Sequence, residues 1–319
     1  MKRLASIDIG TNTILLLIAE IDENKLKKNR IIYKVICDEH RIARLGEGVN
    51  QTGVINNEAI KRAISILVDY KKIIAKNITK NINSEDKSKY LRVVSTSAIR
   101  DSKNKDEVIK KLSKAIEHKV EMLSGEVEAE LSYLGSKETN KSSIIIDIGG
   151  GSTEFISGDD SWINYKKSLD IGAVRITEMF FSNYPPTNNE INKANSFIKS
   201  QLSNLDLSVL KGDLYAVAGT PTSLTQIKLG LNNFDNEKIH LHKMSLDNLT
   251  EIIDILKSSS THELINNYYV HPKRADVLLA GSLILYEYLK ISDFKYFYTS
   301  TKGLRYGIIL DMCKNNNCR

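Results

Sequence analysis

The order Asp-Ile-Gly occurs twice in this chain of 319 residues, at Asp8-Ile9-Gly10 and at Asp147-Ile148-Gly149. Each copy follows a short apolar run, which reads as a buried strand. The first continues Thr11-Asn12-Thr13 and is apolar again from Ile14 to Ala19; the second continues Gly150-Gly151-Ser152-Thr153-Glu154. Three consecutive glycines weaken a strand, since each loses more backbone entropy than any other residue and packs no side chain. Their use lies in a turn, where φ > 0 and close backbone approach let successive N–H groups point into one concavity and hold an anion. Ser152 and Thr153 add hydroxyl donors, and Asp147 and Glu154 are hard oxygen ligands of the kind Mg²⁺ takes. A repeated pattern predicts two related folding units. Two such turns facing each other across a cleft would grip a phosphate from both sides.

The length suits two domains with separate cores. A hydrophobic fraction of 41% and a charged fraction of 26% are those of a soluble globular protein. No apolar stretch approaches the roughly 20 residues that span a bilayer. Met1-Lys2-Arg3 resembles a signal-peptide start, but Asp8 and Asn12 interrupt what would be its apolar core, so the N-terminus reads as a retained strand. Cys37, Cys313 and Cys318 are odd in number and lack metal-ligand spacing, which fits reduced thiols in the cytoplasm. The net charge of +6 favours a polyanionic partner. The lysine-rich pieces Lys25 to Arg30 and Asn77 to Lys89 lack interleaved aromatic residues, so they read as solvated loops with no nucleic-acid role.

In chain order, Leu4 to Ile9 and Ile14 to Glu20 read as a hairpin, and Ile31 to Cys37 as a third strand. Arg41 to Gly48 is a basic, glycine-punctuated loop, either an exposed connector or a cationic lip beside the first turn. A helix follows from Asn56 or Asn57 to about Lys76, with Ile60, Ile64, Leu67 and Ile74 on one face. The strand Leu91 to Ser95 delivers Thr96-Ser97-Ala98-Ile99-Arg100-Asp101. An Arg just past a strand end suits bidentate phosphate recognition and equally a surface ion pair; spacing alone favours the ion pair. Asp106 to His118 is helical and Lys119 to Leu123 is a strand.

Ser124-Gly125-Glu126-Val127-Glu128-Ala129-Glu130 then opens a helix. Acids in a first turn complement the helix dipole. Glu126 and Glu130, at i and i+4, share a face from which Glu128 is set apart. Beyond the second turn, Thr153 to Ser157 and Trp162 to Ser168 pair as strands, and Thr187 with Glu190 forms a capping box for a helix from Asn188 to about Leu205. Asp213 to Ala218 is a strand ending in a third glycine-hydroxyl turn, Gly219-Thr220-Pro221. Helices are expected at Ser245 to Lys257, Ala275 to Leu289 and from Gly303 onward, with a strand at Lys295 to Ser300. His240 and His242 read as surface residues.

These segments, in this order and over essentially the whole chain, resemble the exopolyphosphatase / guanosine pentaphosphatase (Ppx/GppA) family of the actin-like superfamily. The motifs are the two Asp-Ile-Gly turns, Thr96-Ser97-Ala98-Ile99-Arg100-Asp101, Ser124-Gly125-Glu126-Val127-Glu128-Ala129, Gly172-Ala173-Val174-Arg175, Ala218-Gly219-Thr220, Arg274-Ala275-Asp276 and Gly303-Leu304-Arg305. The Asp-Ile-Gly turns indicate only the superfamily. The Thr-Ser-Ala-Ile-Arg and Ser-Gly-Glu-x-Glu-Ala segments separate this family from the related kinases.

The resemblance implies an α/β fold of two ribonuclease-H-like domains, actin-like in arrangement, with a phosphate cleft between them. The expected division is 1–124 and 125–302, with a last helix at about 303–319 packing back on the first domain. It implies hydrolysis of a terminal phosphoanhydride of inorganic polyphosphate or guanosine pentaphosphate with Mg²⁺, or Mn²⁺ in its place. Glu128 matches the general base, and Asp147 and Glu154, with Asp8, match acidic metal-site positions. Gly10, Thr11, Asn12, Thr13, Gly149, Gly150, Gly151, Ser152, Thr153, Gly219 and Thr220 match phosphate loops, with Arg100 as a phosphate ligand. An ATP-dependent small-molecule kinase and a non-catalytic alarmone sensor are the alternatives. Neither membrane nor nucleic acid is an expected partner, and the assembly state is open, a homodimer included. The chain departs from the family pattern at Val127, Glu130 and Pro221. Longer members continue into helical domains, which implies less grip here on long polymers.

Overall fold

The apolar runs on either side of the first Asp-Ile-Gly turn form antiparallel strands β1 (Lys2–Ile9) and β2 (Thr13–Ile21), with Ile9 opposite Ile14 and Asp8 opposite Leu15. This computed structural model describes residues 2–22, 32–78, 89–138, 141–159 and 162–316. The lysine-rich stretch 25–30, most of the polar segment 77–89 and Cys318 lie outside them. The chain divides into two compact units, Met1–Gly135 with Leu304–Arg319, and Ser136–Gly303.

In the first unit β3 (Ile32–Ile42) is followed by α1 (Val49–Thr52), α2 (Asn57–Ile78), β4 (Leu91–Ser95), α3 (Ser97–Arg100), α4 (Lys105–Ile116), β5 (Val120–Met122) and α5 (Gly125–Ser136). The sheet order is β3-β2-β1-β4-β5, with β2 and β3 antiparallel and β4 and β5 parallel to β1. Successive side chains alternate between sheet faces. Ile7, Ile9, Leu16 and Ile18 therefore pack under α2 and α4, against Ala63, Leu67, Tyr70, Val108 and Leu112. Leu4, Leu17, Ala19 and Val94 pack on the other face against Leu123, Leu131, Leu304, Ile308 and Met312. That second core is why the last helix returns to this unit.

In the second unit β6 (Ser143–Ile148), β7 (Thr153–Gly158) and β8 (Ile163–Leu169) form a meander, followed by α6 (Ala173–Phe180), α7 (Asn188–Leu202), β9 (Asp213–Val217), α8 (Gly219–Lys228) and α9 (Asn236–Ile239). Then come β10 (His242–Ser245), α10 (Leu246–Ser258), α11 (Thr261–Tyr268), α12 (Leu278–Ser292) and β11 (Tyr296–Thr299); α13 (Leu304–Asn316) belongs to the first unit. The strand order is β10-β11-β9-β6-β7-β8. Ile144, Ile146, Phe155, Leu214 and Phe297 pack against Ile198, Ile252, Leu283 and Leu285 of the covering helices. The capping box of Thr187 and Glu190 forms as expected, and Ser245 with Asn248 makes another.

The two sheets share one order. β3-β2-β1-β4-β5 corresponds to β8-β7-β6-β9-β11, an antiparallel meander continued by two parallel strands. The repeated turn predicted two related units, and this is the duplicated ribonuclease-H-like α/β topology that the family resemblance implied.

Two expectations need correction. The first unit extends to Gly135, beyond the expected limit at 124. The reason is α5, whose Leu131 belongs to the same apolar cluster as Leu304 and Ile308. β3 runs on to Ile42, past the expected end at Cys37, because Asp38, Glu39 and His40 lie on a sheet edge where polar side chains are tolerated. Among the described residues, no helix is long and apolar enough to cross a membrane.

Candidate active site

Both turns are built by one device. Gly10 N–H donates to the Thr13 carbonyl at 3.0 Å, and Gly149 N–H to the Ser152 carbonyl at 2.9 Å. In the second turn, Ala173 N–H donates to Gly149 O at 2.9 Å, while Val174 and Arg175 N–H donate to Gly150 O at 2.9 and 3.0 Å. Arg175 Nε takes the Gly151 carbonyl at 2.7 Å. The first N–H groups of α6 are thus spent on the loop's carbonyls, which solves the helix-end problem. The N–H groups of Gly150, Gly151 and Ser152 have no protein acceptor among the described residues.

The first turn repeats the arrangement with the segment after β3. Ala43 and Arg44 N–H donate to Asn12 O at 3.0 and 2.9 Å, and Gly46 N–H to Thr11 O at 2.8 Å. The N–H groups of Thr11 and Asn12 have no protein acceptor among the described residues. Backbone donors left over in this way are what an anion-binding concavity requires.

The glycines work through space, not handedness. Gly10, Gly149, Gly150 and Gly151 are absent from the positive-φ glycines, which among the described residues are Gly48, Gly53, Gly212, Gly230 and Gly303. The close approach is clearest at Gly172, where a Cβ would lie 2.5 Å from both the carbonyl carbon and oxygen of Gly150. The expected need for φ > 0 is therefore corrected.

Two hydroxyls expected to meet a ligand point elsewhere. Thr11 is 7% exposed, and its Oγ1 shares a 2.9 Å hydrogen bond with Ser97 Oγ. Thr153 is fully buried and donates to the Ile171 carbonyl at 2.6 Å. Both brace their turns. Ser152 is buried, whereas Asn12 and Thr13 are half-buried.

Arg100 ends α3, and its Nη1 donates to Glu128 Oε2 and to the Leu123 carbonyl, both at 3.0 Å. Glu128 is 8% exposed, while Glu126 and Glu130 face solvent. Helical spacing had set Glu128 apart, and packing does the same. Arg100 makes an ion pair, as spacing favoured, but a half-buried one with the acid of greatest interest.

Asp147 and Glu154 are direct cross-strand partners on β6 and β7, so their side chains share a face, with Cβ atoms about 4.5–5.5 Å apart in such pairs. Glu154 is 1% exposed, and Asp147 is half-buried. Two hard carboxylates suit Mg²⁺, which takes one or two protein carboxylates and completes its shell with water and substrate phosphates. The donor set fits. Asp8 is buried on β1 of the other unit, within the field of Arg305. Among the described residues no group of three His, Cys, Asp or Glu forms a complete metal cage.

The third turn opens α8. Ala218 before it has φ 78° and ψ −162°, a region close to glycine-only, and such strain concentrates at functional sites. Thr220 is 5% exposed and packs on Gly281 of α12, so its side chain points inward. The guanidinium of Arg274 lies against Gly219, in the space a Cβ would fill, with Cζ only 2.7 Å from that position. Burial alone pulls the Arg274 pKa down to about 10. A desolvated cation beside a helix N-terminus is suited to an anion. Arg274 stands 55 positions from Gly219, so spacing did not join the two; the signal in the sequence was the motif Arg274-Ala275-Asp276, to which no site role was assigned.

Other charged groups are structural. Asp38 receives Arg305 Nε and Nη2 at 2.8 and 2.9 Å, Tyr306 OH at 3.2 Å and a bond with His40 at 3.0 Å. The basic segment expected as a loop is neutralised: Arg41, which lies at the end of β3, pairs with Asp69, and Arg44 shares Glu47 with Arg62 of α2. His240 is half-buried on Glu138 at 3.2 Å, not a surface residue.

The profile of the Ppx/GppA phosphatase family matches residues 17–316. The chain belongs to the Ppx/GppA phosphatase family. Among relatives, a bifunctional 3-dehydroquinate synthase/phosphatase of Fusobacterium nucleatum is 35% identical over 98% of this chain, which spans only 46% of that protein's length. Exopolyphosphatase 2 of Mycobacterium tuberculosis is 31% identical over 90% of both chains. The Ppx/GppA crystal structure from Aquifex aeolicus superposes with a TM-score of 0.77 at 29% identity, covering 99% of each chain.

Proposed function

We propose that this Ppx/GppA member is an exopolyphosphatase that releases terminal orthophosphate from inorganic polyphosphate with a divalent metal ion, Mg²⁺ or Mn²⁺. The observation that carries the reading is Glu128, a buried carboxylate kept beside the Arg100 guanidinium and apart from its two solvated neighbours. A kinase excludes water, whereas a buried base with a fixed hydrogen-bond partner suits water activation. Exopolyphosphatase 2 of Mycobacterium tuberculosis, matched over 90% of each chain, supports the same substrate.

In this reading Glu128 takes a proton from water as the water oxygen bonds to the terminal phosphorus. The bridging oxygen leaves with the electron pair of the broken P–O bond and becomes the new chain end. Arg100 has donors beyond the one given to Glu128 and Leu123, and these meet the phosphate. The N–H groups of Gly150, Gly151 and Ser152, with Arg274 of the same unit, bind further phosphate oxygens. Transfer of this kind depends mainly on positioning and charge neutralisation. Asp147 and Glu154 would hold the metal ion, which when bound supplies positive charge to the phosphate oxygens.

The test is orthophosphate release from long polyphosphate, short polyphosphate, guanosine pentaphosphate and ATP, with no acceptor present. The reading expects acceptor-independent release from polyphosphate that stops in excess chelator. Release only with an acceptor would make the chain a kinase. Tight guanosine tetraphosphate binding without turnover of any polyphosphate would make it a sensor.

A further inference from the structure

We infer that Ser168 is a positioning residue for Glu154, fixing the carboxylate that takes the divalent metal ion; the inference rests on the metal reading above. Ser168 stands on β8 directly opposite Glu154, which stands opposite Asp147. Three antiparallel strands thus carry Asp147, Glu154 and Ser168 in one transverse row on one sheet face. Ser168 Oγ donates to Glu154 Oε1 at 2.7 Å.

The duplicated fold supplies the control. The same row in the first unit is Asp8 on β1, Leu15 on β2 and His40 on β3. Leucine fills the middle position there, fully compatible with the topology, so the fold does not require an acid at that point. In the second unit the position holds a Glu at 1% exposure. A buried carboxylate is costly unless its oxygens are hydrogen-bonded. Ser168 meets part of that cost at Oε1 with a neutral donor whose bond fixes the direction of the carboxylate.

A side-chain hydroxyl that fixes a ligand's rotamer acts as an outer-shell partner, and loss of such partners typically weakens metal affinity by about 10–100-fold. Ser168→Ala should therefore weaken Mn²⁺ binding to the substrate-free protein, followed by electron paramagnetic resonance, by about that factor. The thermal unfolding temperature of the metal-free protein should fall modestly, because the buried Glu154 Oε1 loses its hydrogen-bond donor, and Ser168→Thr should restore it. In phosphate release, the Mg²⁺ concentration for half-maximal rate should rise while the rate at saturating Mg²⁺ stays near wild type. Ser168→Thr, which keeps the hydroxyl, should restore both. Wild-type Mn²⁺ affinity in Ser168→Ala would overturn the positioning role alone. So would a Ser168→Thr variant as impaired as Ser168→Ala, since shape and not the hydroxyl would then matter. A wild-type protein that binds no Mn²⁺ would overturn the metal assignment and this inference together, and that result is distinct from the other two.

Discussion

Arg100 and Glu128 share a 3.0 Å hydrogen bond through Nη1 and Oε2, and the same Nη1 also holds the Leu123 carbonyl at 3.0 Å. The backbone anchor sets where the guanidinium sits, and the guanidinium sets where the carboxylate points. Arg100 is thus tied to both parts of the proposed chemistry, the phosphate and the base. Arg100→Ala should lower kcat by about 10²–10³, the usual cost of losing a charge-stabilising donor. Arg100→Lys keeps the charge but loses the planar fork and should recover only a small part. Steady-state phosphate release on one polyphosphate length checks both variants.

Asp38 predicts how stability depends on pH. Burial pushes its carboxyl pKa upward, but the His40 hydrogen bond and the Arg305 charge outweigh burial and hold it far below the ordinary aspartate range. A depressed folded-state pKa contributes stability that is fully present above the unfolded value, about 3.9, and is lost as pH falls toward the folded value. Asp38→Asn leaves Arg305 buried without its carboxylate, a change that costs about 3–5 kcal/mol. Urea unfolding should show this deficit at pH 7, and the gap to wild type should narrow below about pH 4. A constant gap across that range would contradict the assignment.

Gly172→Ala tests the brace behind the second turn. The added methyl would meet the Gly150 carbonyl carbon and oxygen at 2.5 Å, and backbone cannot rotate aside as a side chain can. Overpacking of this kind costs about 1–3 kcal/mol, and here the loop must shift away from α6. The expected outcome is a folded protein with a raised KM for polyphosphate. An unchanged KM would show that the loop's N–H groups do not bind the substrate.

Local order was legible and long-range company was not. The Asp-Ile-Gly repeat announced two units of one topology, and the acids bracketing the glycines became a cross-strand pair because a hairpin makes them neighbours. Helical spacing separated Glu128 from Glu126 and Glu130 for the same local reason. By contrast, Asp38 meets Arg305 across 267 positions, and without that partner Asp38-Glu39-His40 looked like the end of a strand. Thr11 and Thr153 looked like ligand hydroxyls because spacing cannot tell which face of a turn is braced from behind. The positive φ expected of the glycines was an inference from residue type, whereas their backbones need room for a neighbouring segment.

Arg274 belongs to a motif that the sequence showed without a role, and the structure gives it a place beside the third turn. Its desolvated guanidinium lies against Gly219 at the start of α8. Arg274→Ala should raise KM for polyphosphate by at least tenfold, with a smaller change in kcat, if it binds substrate uniformly through the reaction. A change in kcat alone would instead place its contact in the transition state.

The most direct test of the central claim is acceptor-free orthophosphate release by Glu128→Gln beside wild type, with polyphosphate binding measured on the same preparations. General-base loss should lower turnover by about 10²–10⁴ while binding stays within a few-fold of wild type. Turnover at the wild-type rate in Glu128→Gln would show that water is activated elsewhere and would contradict the account.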